Sequence, residues 1–378
     1  MAKKILIVAG EASSDLHAAN LIKEIKSLLP TAEFYGLGGE KMQQQGVKLY
    51  ANIVGLAVVG FIEVLSNIKK FKAIFKNLLR EVDKLNPDIA VLIDYPGFNL
   101  RLAKQLKKRG IPVIYYISPQ IWAWGKNRIH LIKKLVTRMI VLFKFEEKIY
   151  KNAGIPVSFI GHPFLDIAKP DSRIDTTPGK TTFALLPGSR NLEVRILLPL
   201  MLETAGLILK KIPRSQFIIL RPSSVESEVF QQILARYKLP VLVLNDKTYA
   251  GLASSDFALI ASGSATLECA ILEKPFVILY KVPWLSWFLL RMIIKLPFIG
   301  LVNIVAGRKI VEEFIQFRAQ PENIANHVIA CLDDPNKINA LRKDLSGIKL
   351  LLGQKGASRR AAGIILGLLF KTTLRQQN

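Results

Sequence analysis

Three stretches of this 378-residue chain carry residue types whose spacing could do chemistry. The first is Leu185-Leu186-Pro187-Gly188-Ser189-Arg190, where an apolar run over 182–186 meets a small-residue turn and a helical pattern begins near Asn191. A strand that runs into a helix in this way leaves the first helical N–H groups without intrahelical partners. With the partial positive charge of the helix end, they make a natural anion site. Gly188 allows close backbone approach, Ser189 adds a hydroxyl, and Arg190 supplies a planar fork suited to a diphosphate. In isolation the same residues would also describe an ordinary turn with a surface arginine. The second stretch, Ser262-Gly263-Ser264-Ala265-Thr266-Leu267-Glu268, repeats the construction after an apolar run over 257–261, with the Glu268 carboxylate inside the first turns of the next helix. Two such loops at one end of a parallel sheet could hold the phosphates and the ribose of a nucleotide between them.

The third stretch is the run over 88–93 that ends in Asp94 and continues as Tyr95-Pro96-Gly97-Phe98-Asn99. In an open α/β sheet, ligands gather beyond the carboxyl ends of the strands, so topology aims Asp94 at a cleft, where a carboxylate could act as general base. The plainer alternative is an aspartate that caps the helix over 99–108. Glu11, Asp15 and His17 follow the first apolar run and are either polar groups facing the same cleft or helix caps with a satisfied histidine. Trp122 and Trp124 follow a strand over 112–117; tryptophans there can stack on sugar faces, although they also simply pack.

The elements that position these residues read as two α/β units. Strands are expected over 4–9, 33–36, 88–94, 112–117, 137–142 and 157–160. After the polar segment 166–181 they resume near 182–186, 216–220, 241–244, 257–261 and 276–280, alternating with helices. The turn after the first strand holds only Gly10 as glycine, so it is not the dinucleotide fingerprint. The fold class is therefore α/β, with two Rossmann-like doubly wound parallel-sheet domains facing across a cleft, which resembles the architecture of B-type glycosyltransferases. The expected division is 1–168 and 169–350, with a helical tail over 351–378 crossing back to pack on the first domain.

A chain of this length with half its residues apolar can bury two cores. A net charge of +24 calls for anionic company, either nucleic acid or an acidic membrane surface. No recognition motif, zinc spacing or basic run interleaved with stacking aromatics favours nucleic acid, so no nucleic-acid partner is expected and a basic nucleic-acid-binding protein is only the distant alternative. Cys269 and Cys331 fall in apolar helical patterns and read as buried thiols of a cytoplasmic protein. Two cysteines and four histidines show no metal-ligand spacing, so no metal and no cofactor are expected. The apolar run over 5–9 is too short for a signal peptide, and nothing approaches eighteen uninterrupted apolar residues. Over 61–82, Phe61, Leu65, Phe71 and Phe75 recur at helical spacing while Lys69, Lys72 and Lys76 crowd the other positions. That pattern fits either an anionic bilayer interface or a core-packed helix with a solvated basic face. The stretch 284–302, with Trp284 and Trp287, is very apolar but broken by Arg291, Lys295 and Pro297. It is expected to lie in a membrane interface with its cations on lipid phosphates.

These motifs, together with Gly10-Glu11-Ala12-Ser13, Ser118-Pro119 and Gly161-His162-Pro163, stand in order along nearly the whole chain and resemble the lipid-A-disaccharide synthase family, glycosyltransferase family 19. Asn303 with Ala306-Gly307-Arg308, and then Glu313 and Gln316, extend the resemblance. Ser14 stands where the family usually has glycine, and Val302 where it has proline. The resemblance implies an inverting transfer of 2,3-diacylglucosamine from its UDP donor to 2,3-diacylglucosamine 1-phosphate, forming the β-1,6 disaccharide of lipid A and releasing UDP. It implies that the second domain binds the UDP-sugar through Gly188, Ser189, Arg190, Ser262, Gly263, Ser264, Ala265, Thr266, Glu268, Asn303, Arg308, Glu313 and Gln316. The acceptor would lie on the first domain near Ser13, Asn99, Trp122 and His162, with Asp94 as general base and Glu11 or His17 assisting. It further implies peripheral attachment to the cytoplasmic face of the inner membrane of a Gram-negative bacterium and leaves a homodimer open. Another UDP-sugar enzyme of the same fold, such as an epimerase or a different lipid-linked-sugar transferase, shares the nucleotide loops; acceptor-side residues separate them. A membrane scaffold would have no use for such loops and a cleft acid.

Overall fold

The computed structural model describes residues 2–54, 61–123, 125, 127–169, 173–284, 286–288 and 296–376, with backbone alone for 61–68 and 372–376. The chain forms two units, Met1–Pro163 with Gly353–Asn378, and Phe164–Leu352.

The first unit is built on β1 (Lys4–Ala9), β2 (Glu33–Gly38), β3 (Lys48–Asn52), β4 (Ile89–Ile93), β5 (Val113–Tyr116), β6 (Arg138–Val141) and β7 (Val157–Phe159), in the order β3-β2-β1-β4-β5-β6-β7. All neighbours are parallel. Every residue of β4 and β5 is buried, as expected of parallel strands covered on both faces, and this is why they read as unbroken apolar runs. The edge strand β3, with sequence KLYAN and no fully buried residue, gives no such signal and was not expected. Strand order reverses between β1 and β4, where Ala9 pairs with Ile93, so the crevice of this sheet opens beyond those two residues. The returning helix Ala357–Gln376 packs on the first helix, Ala12–Leu28. Arg360 ties it down by donating twice to the Ile160 carbonyl, at 2.9 and 2.6 Å.

The helix Phe61–Leu85 resolves the two readings of its pattern over its second half. Leu78 and Val82 are buried, and Phe71, Ile74, Phe75 and Leu79 lean on the domain core. The Phe75 ring meets Phe98 edge-on at 5.3 Å. Phe71 and Phe75 are thus committed to the core, which corrects their expected membrane contact, while Lys69, Lys72 and Lys76 are exposed on the opposite face. The side chains of Phe61 and Leu65 lie outside the described residues.

The second unit carries β8 (Thr181–Leu186), β9 (Ser215–Arg221), β10 (Val241–Asn245), β11 (Phe257–Ala261), β12 (Phe276–Tyr280) and β13 (Glu313–Ile315), all parallel, in the order β10-β9-β8-β11-β12-β13. The order reverses between β8 and β11, where Leu186 pairs with Ile260. The polar segment read as a linker is held on this unit: the Ile174 N–H donates to Ser254 at 2.8 Å and the Thr177 N–H to Gln216 at 3.1 Å. The stretch over 284–302 is not uniformly available to a membrane. Trp284 is exposed, but Trp287 is half-buried with its ring 6.4 Å from that of Tyr280, and Val302 is fully buried in the helix Leu301–Ala306. Arg291 and Lys295 lie outside the described residues. Among the described residues, no helix is long and apolar enough to cross a membrane.

Candidate active site

In the first unit, the backbone is strained at the crevice. Asp94 and Tyr95 follow β4 with φ of +47° and +46°, and Ile117 follows β5 at +64°. Left-handed backbone at such side chains costs on the order of 1–3 kcal/mol each and persists only where the surroundings over-determine it. Here they do. The Asp94 carbonyl accepts from the Asn99 amide at 2.8 Å and the Tyr115 hydroxyl at 2.6 Å, while its N–H donates to the Tyr116 carbonyl at 3.1 Å. Glycine is required across the crevice as well, because a Cβ on Gly10 would lie 2.4 Å from the Tyr95 ring. Burial, reinforced by the nearby Glu11 charge and opposed by the Tyr95 N–H, pushes the Asp94 carboxyl up to about 7. A carboxyl poised there exchanges a proton readily at neutral pH, as a general base must.

Ser13 is exposed on the first turn of Ala12–Leu28, and Asp15 accepts from the N–H groups of Gly39, Lys41 and Met42, which makes it a cap for the next helix. His17 and His162 are buried with ring centroids 6.4 Å apart. Burial lowers the His17 pKa to about 4 and that of His162 well below its usual range, so neither is cationic at neutral pH. Asn99 does not line the acceptor side: it is fully buried and its amide is spent on the carbonyls of Ile93 and Asp94. The strained turn at Asp94 thus consumes the side-chain amide that was expected on the acceptor side.

Trp122 is half-buried, and its indole N–H donates to Glu146 at 3.2 Å. The Ser118 hydroxyl donates to the same carboxylate oxygen at 2.6 Å. Burial lifts the Glu146 carboxyl to about 7 against those bonds. Glu146 anchors the Ser118–Trp122 loop, yet it was not foreseen, because its partners lie 28 and 24 residues away in the chain. Trp124 lies outside the described residues.

In the second unit, both small-residue loops leave the adjacent strands β8 and β11, so they are neighbours at the switch point. Gly188 has φ of +118°, and a Cβ there would lie 2.5 Å from the Glu193 carboxylate. Glu193 accepts from the Ser189 N–H and from Arg190, both at 3.1 Å. The donors expected to face an anion therefore already face one, supplied by the helix Asn191–Lys211 itself. In the second loop Gly263 and Ser264 are exposed, Ala265 opens the helix Ala265–Ile271, and the Ser262 hydroxyl donates to the Ile299 carbonyl at 3.2 Å. Thr266 is buried and turns its hydroxyl back onto the Gly263 carbonyl at 2.7 Å. Glu268 accepts from the Tyr249 hydroxyl at 2.5 Å; burial raises its pKa and this bond opposes the rise.

Three residues expected to touch the nucleotide have their polar groups engaged elsewhere. Asn303 is fully buried: its amide donates to Val311 and Glu313, and its carbonyl accepts from Ile310 and Val311. Glu313 also accepts from the N–H groups of Ile299 and Gly300, both at 2.9 Å. Gln316 bonds both the N–H and the carbonyl of Val282. These bonds tie Asn303, Glu313 and Gln316 to the loop that receives Ser262 and to the segment at Val282. Arg308 is exposed and forks onto Asp344, at 2.5 and 3.2 Å. Among the described residues, no cluster of His, Cys, Asp and Glu is placed to hold a metal ion.

Two doubly wound sheets with loops of this kind at their switch points define the B-type glycosyltransferase fold. Solved structures agree at the level of fold: a UDP-GlcNAc 2-epimerase from Neisseria meningitidis bound to UDP-GlcNAc superposes with a TM-score of 0.65 at 14% identity over 96% of this chain and 100% of that one. The glycotransferase of kitacinnamycin gives 0.63 at 15% identity over 96% and 98%. Residues 5–366 match the family model described as lipid-A-disaccharide synthetase. The lipid-A-disaccharide synthase of Syntrophus aciditrophicus is 43% identical over 98% of this chain and 99% of its own length, and that of Geobacter sulfurreducens 40% over 97% and 98%. The chain belongs to the lipid-A-disaccharide synthase family, whose members are hexosyltransferases.

Proposed function

We propose that the chain makes the lipid A disaccharide by direct displacement: Asp94 takes the proton of the acceptor sugar hydroxyl as that oxygen attacks the anomeric carbon of a UDP-linked 2,3-diacylglucosamine. The observation that carries this reading is the Asp94 carboxyl, held beyond β4 by a strained, doubly bonded turn and raised by burial to about 7. A single displacement inverts an α-linked donor to the β product and needs no covalent enzyme intermediate. The leaving diphosphate would take the Ser189 N–H and Arg190 from Glu193, with the end of the Asn191–Lys211 helix adding its partial positive charge. Glu268 would take the ribose hydroxyls. Because both substrates carry acyl chains, the enzyme works at a membrane surface, which we assign to the anionic cytoplasmic face of the inner membrane. The exposed Lys69, Lys72 and Lys76 and the exposed Trp284 support that assignment. The test is incubation with UDP-2,3-diacylglucosamine and 2,3-diacylglucosamine 1-phosphate. A disaccharide 1-phosphate with release of UDP is expected; an epimerised donor without a disaccharide would replace this reading with the epimerase one.

A further inference from the structure

Tyr249 stands in the helix Thr248–Ala253, which begins three residues beyond the end of β10, and its hydroxyl reaches across to Glu268 beyond β11. The bond is short, 2.5 Å to Oε1. An ionised carboxylate only accepts, so the phenol is the donor. Among the described residues no other hydrogen bond engages the Glu268 carboxylate. Oε2 and the remaining lone pair of Oε1 are therefore available to two further donors, and the cis-diol of a ribose presents two. Without the phenol, a half-buried carboxylate would have no fixed orientation and would lose the one bond that opposes its protonation.

We propose that Tyr249 is a positioning residue that selects ribonucleotides. By holding Oε1, it fixes the Glu268 carboxylate in the rotamer that receives both ribose hydroxyls. This rests on the reading that the second unit binds UDP. Its consequence is specific: removal of the phenol hydroxyl should weaken binding of a ribonucleoside diphosphate more than binding of the analogue that lacks the 2′-hydroxyl.

The experiment measures the Kd of UDP and of 2′-deoxy-UDP for the wild type, Tyr249→Phe and Glu268→Gln by calorimetry at pH 7.5 (about) and again near pH 6. The wild type should prefer UDP by roughly tenfold, since a charge-assisted bond is at stake. Glu268→Gln should erase most of that preference. Tyr249→Phe should weaken UDP by roughly three- to tenfold, more at the lower pH, and 2′-deoxy-UDP, which keeps only its 3′-hydroxyl for Glu268, by a clearly smaller factor, its retained binding also certifying that the variant is folded. Equal losses for both nucleotides would reduce Tyr249 to a packing residue and overturn the proposal, as would an unchanged UDP affinity in Tyr249→Phe. If the wild type binds neither nucleotide, the donor-site reading fails and this inference falls with it, an outcome distinct from the first two.

Discussion

Asp94 is held in an unfavourable backbone and an unfavourable charge state, and both costs point to catalysis. Asp94→Asn keeps the shape and removes the basicity, so kcat should fall by about two to four orders of magnitude while UDP affinity stays near that of the wild type. Steady-state kinetics beside UDP calorimetry checks this. A base must be ionised, so the wild-type kcat/KM should fall as pH drops through about 7, the value to which burial and Glu11 raise this carboxyl. Stability runs the other way. A carboxyl whose folded pKa lies above its unfolded one binds more protons folded than unfolded, so its contribution is full below pH 4 (about) and is lost as pH rises towards 7. Asp94→Asn escapes that loss and should be more stable than the wild type at pH 8 by something on the order of 1–3 kcal/mol, with the gap closing near pH 4, as denaturant titration at the two pH values would show. Arg190 belongs to the same scale. Arg190→Ala would remove the charge-assisted donor proposed for the diphosphate and leave the Glu193 carboxylate without its counter-charge. UDP affinity should drop by roughly tenfold or more without a change in fold. At this scale the chain order reveals what a strand end exposes. Asp94, Gly188 and Arg190 were legible because an apolar run stops at them, whereas Glu146, Glu193 and Tyr249 owe their importance to partners brought in by folding. Asn303, Glu313 and Gln316 were legible as members of a motif, but not as residues whose polar groups are consumed by one another and by the loop backbone.

Elements show where periodicity is sufficient and where it is not. The pattern over 61–82 establishes a helix whichever face meets the protein, but it cannot say what the apolar face meets. The answer over its second half is the domain core, through Leu78, Val82 and the Phe75–Phe98 contact. Two consequences separate cleanly. Leu78→Ala removes a fully buried side chain and should cost about 2–5 kcal/mol of stability. Replacing Lys69, Lys72 and Lys76 by Ser touches exposed positions only, so stability should stay within about 0.5 kcal/mol per site. Chemical denaturation of the two variants decides whether the helix is oriented as described. The strands follow the same logic. The fully buried β4, β5 and β11 read as apolar runs, while β3 at an edge and the three-residue β13, begun by the buried Glu313, carry neither length nor pattern. The polar segment over 166–181 looked like a linker because it lacks apolar periodicity. Its backbone at Ile174 and Thr177 is nonetheless pinned to Ser254 and Gln216, a use of polar residues that composition does not distinguish from a loose connection.

For the whole molecule the dominant quantity is charge. A formal net charge of +24 is far more than a site for one anionic sugar nucleotide demands, since the few cations that would face a diphosphate account for a small part of it. Its excess suits a surface of anionic lipid, near which each lysine or arginine contributes about 1 kcal/mol and the attraction decays over a Debye length of about 8 Å at physiological ionic strength. An apolar share of the proposed contact would be independent of salt: Trp284 and Phe288 are 73% and 63% exposed, and aromatic rings favour the headgroup boundary. The two contributions therefore come apart by titration. On vesicles containing phosphatidylglycerol the protein should bind at low salt and be released in part as salt rises. A remainder should come off only with detergent, and on neutral phosphatidylcholine vesicles only that remainder should bind. Changing Lys69, Lys72 and Lys76 to Ser should flatten the salt dependence and leave the detergent-sensitive remainder in place, whereas Trp284→Ser should do the reverse. Sedimentation with the vesicles reads both. Binding that ignores lipid charge in the wild type would remove the electrostatic half of the membrane assignment without touching the chemistry at Asp94.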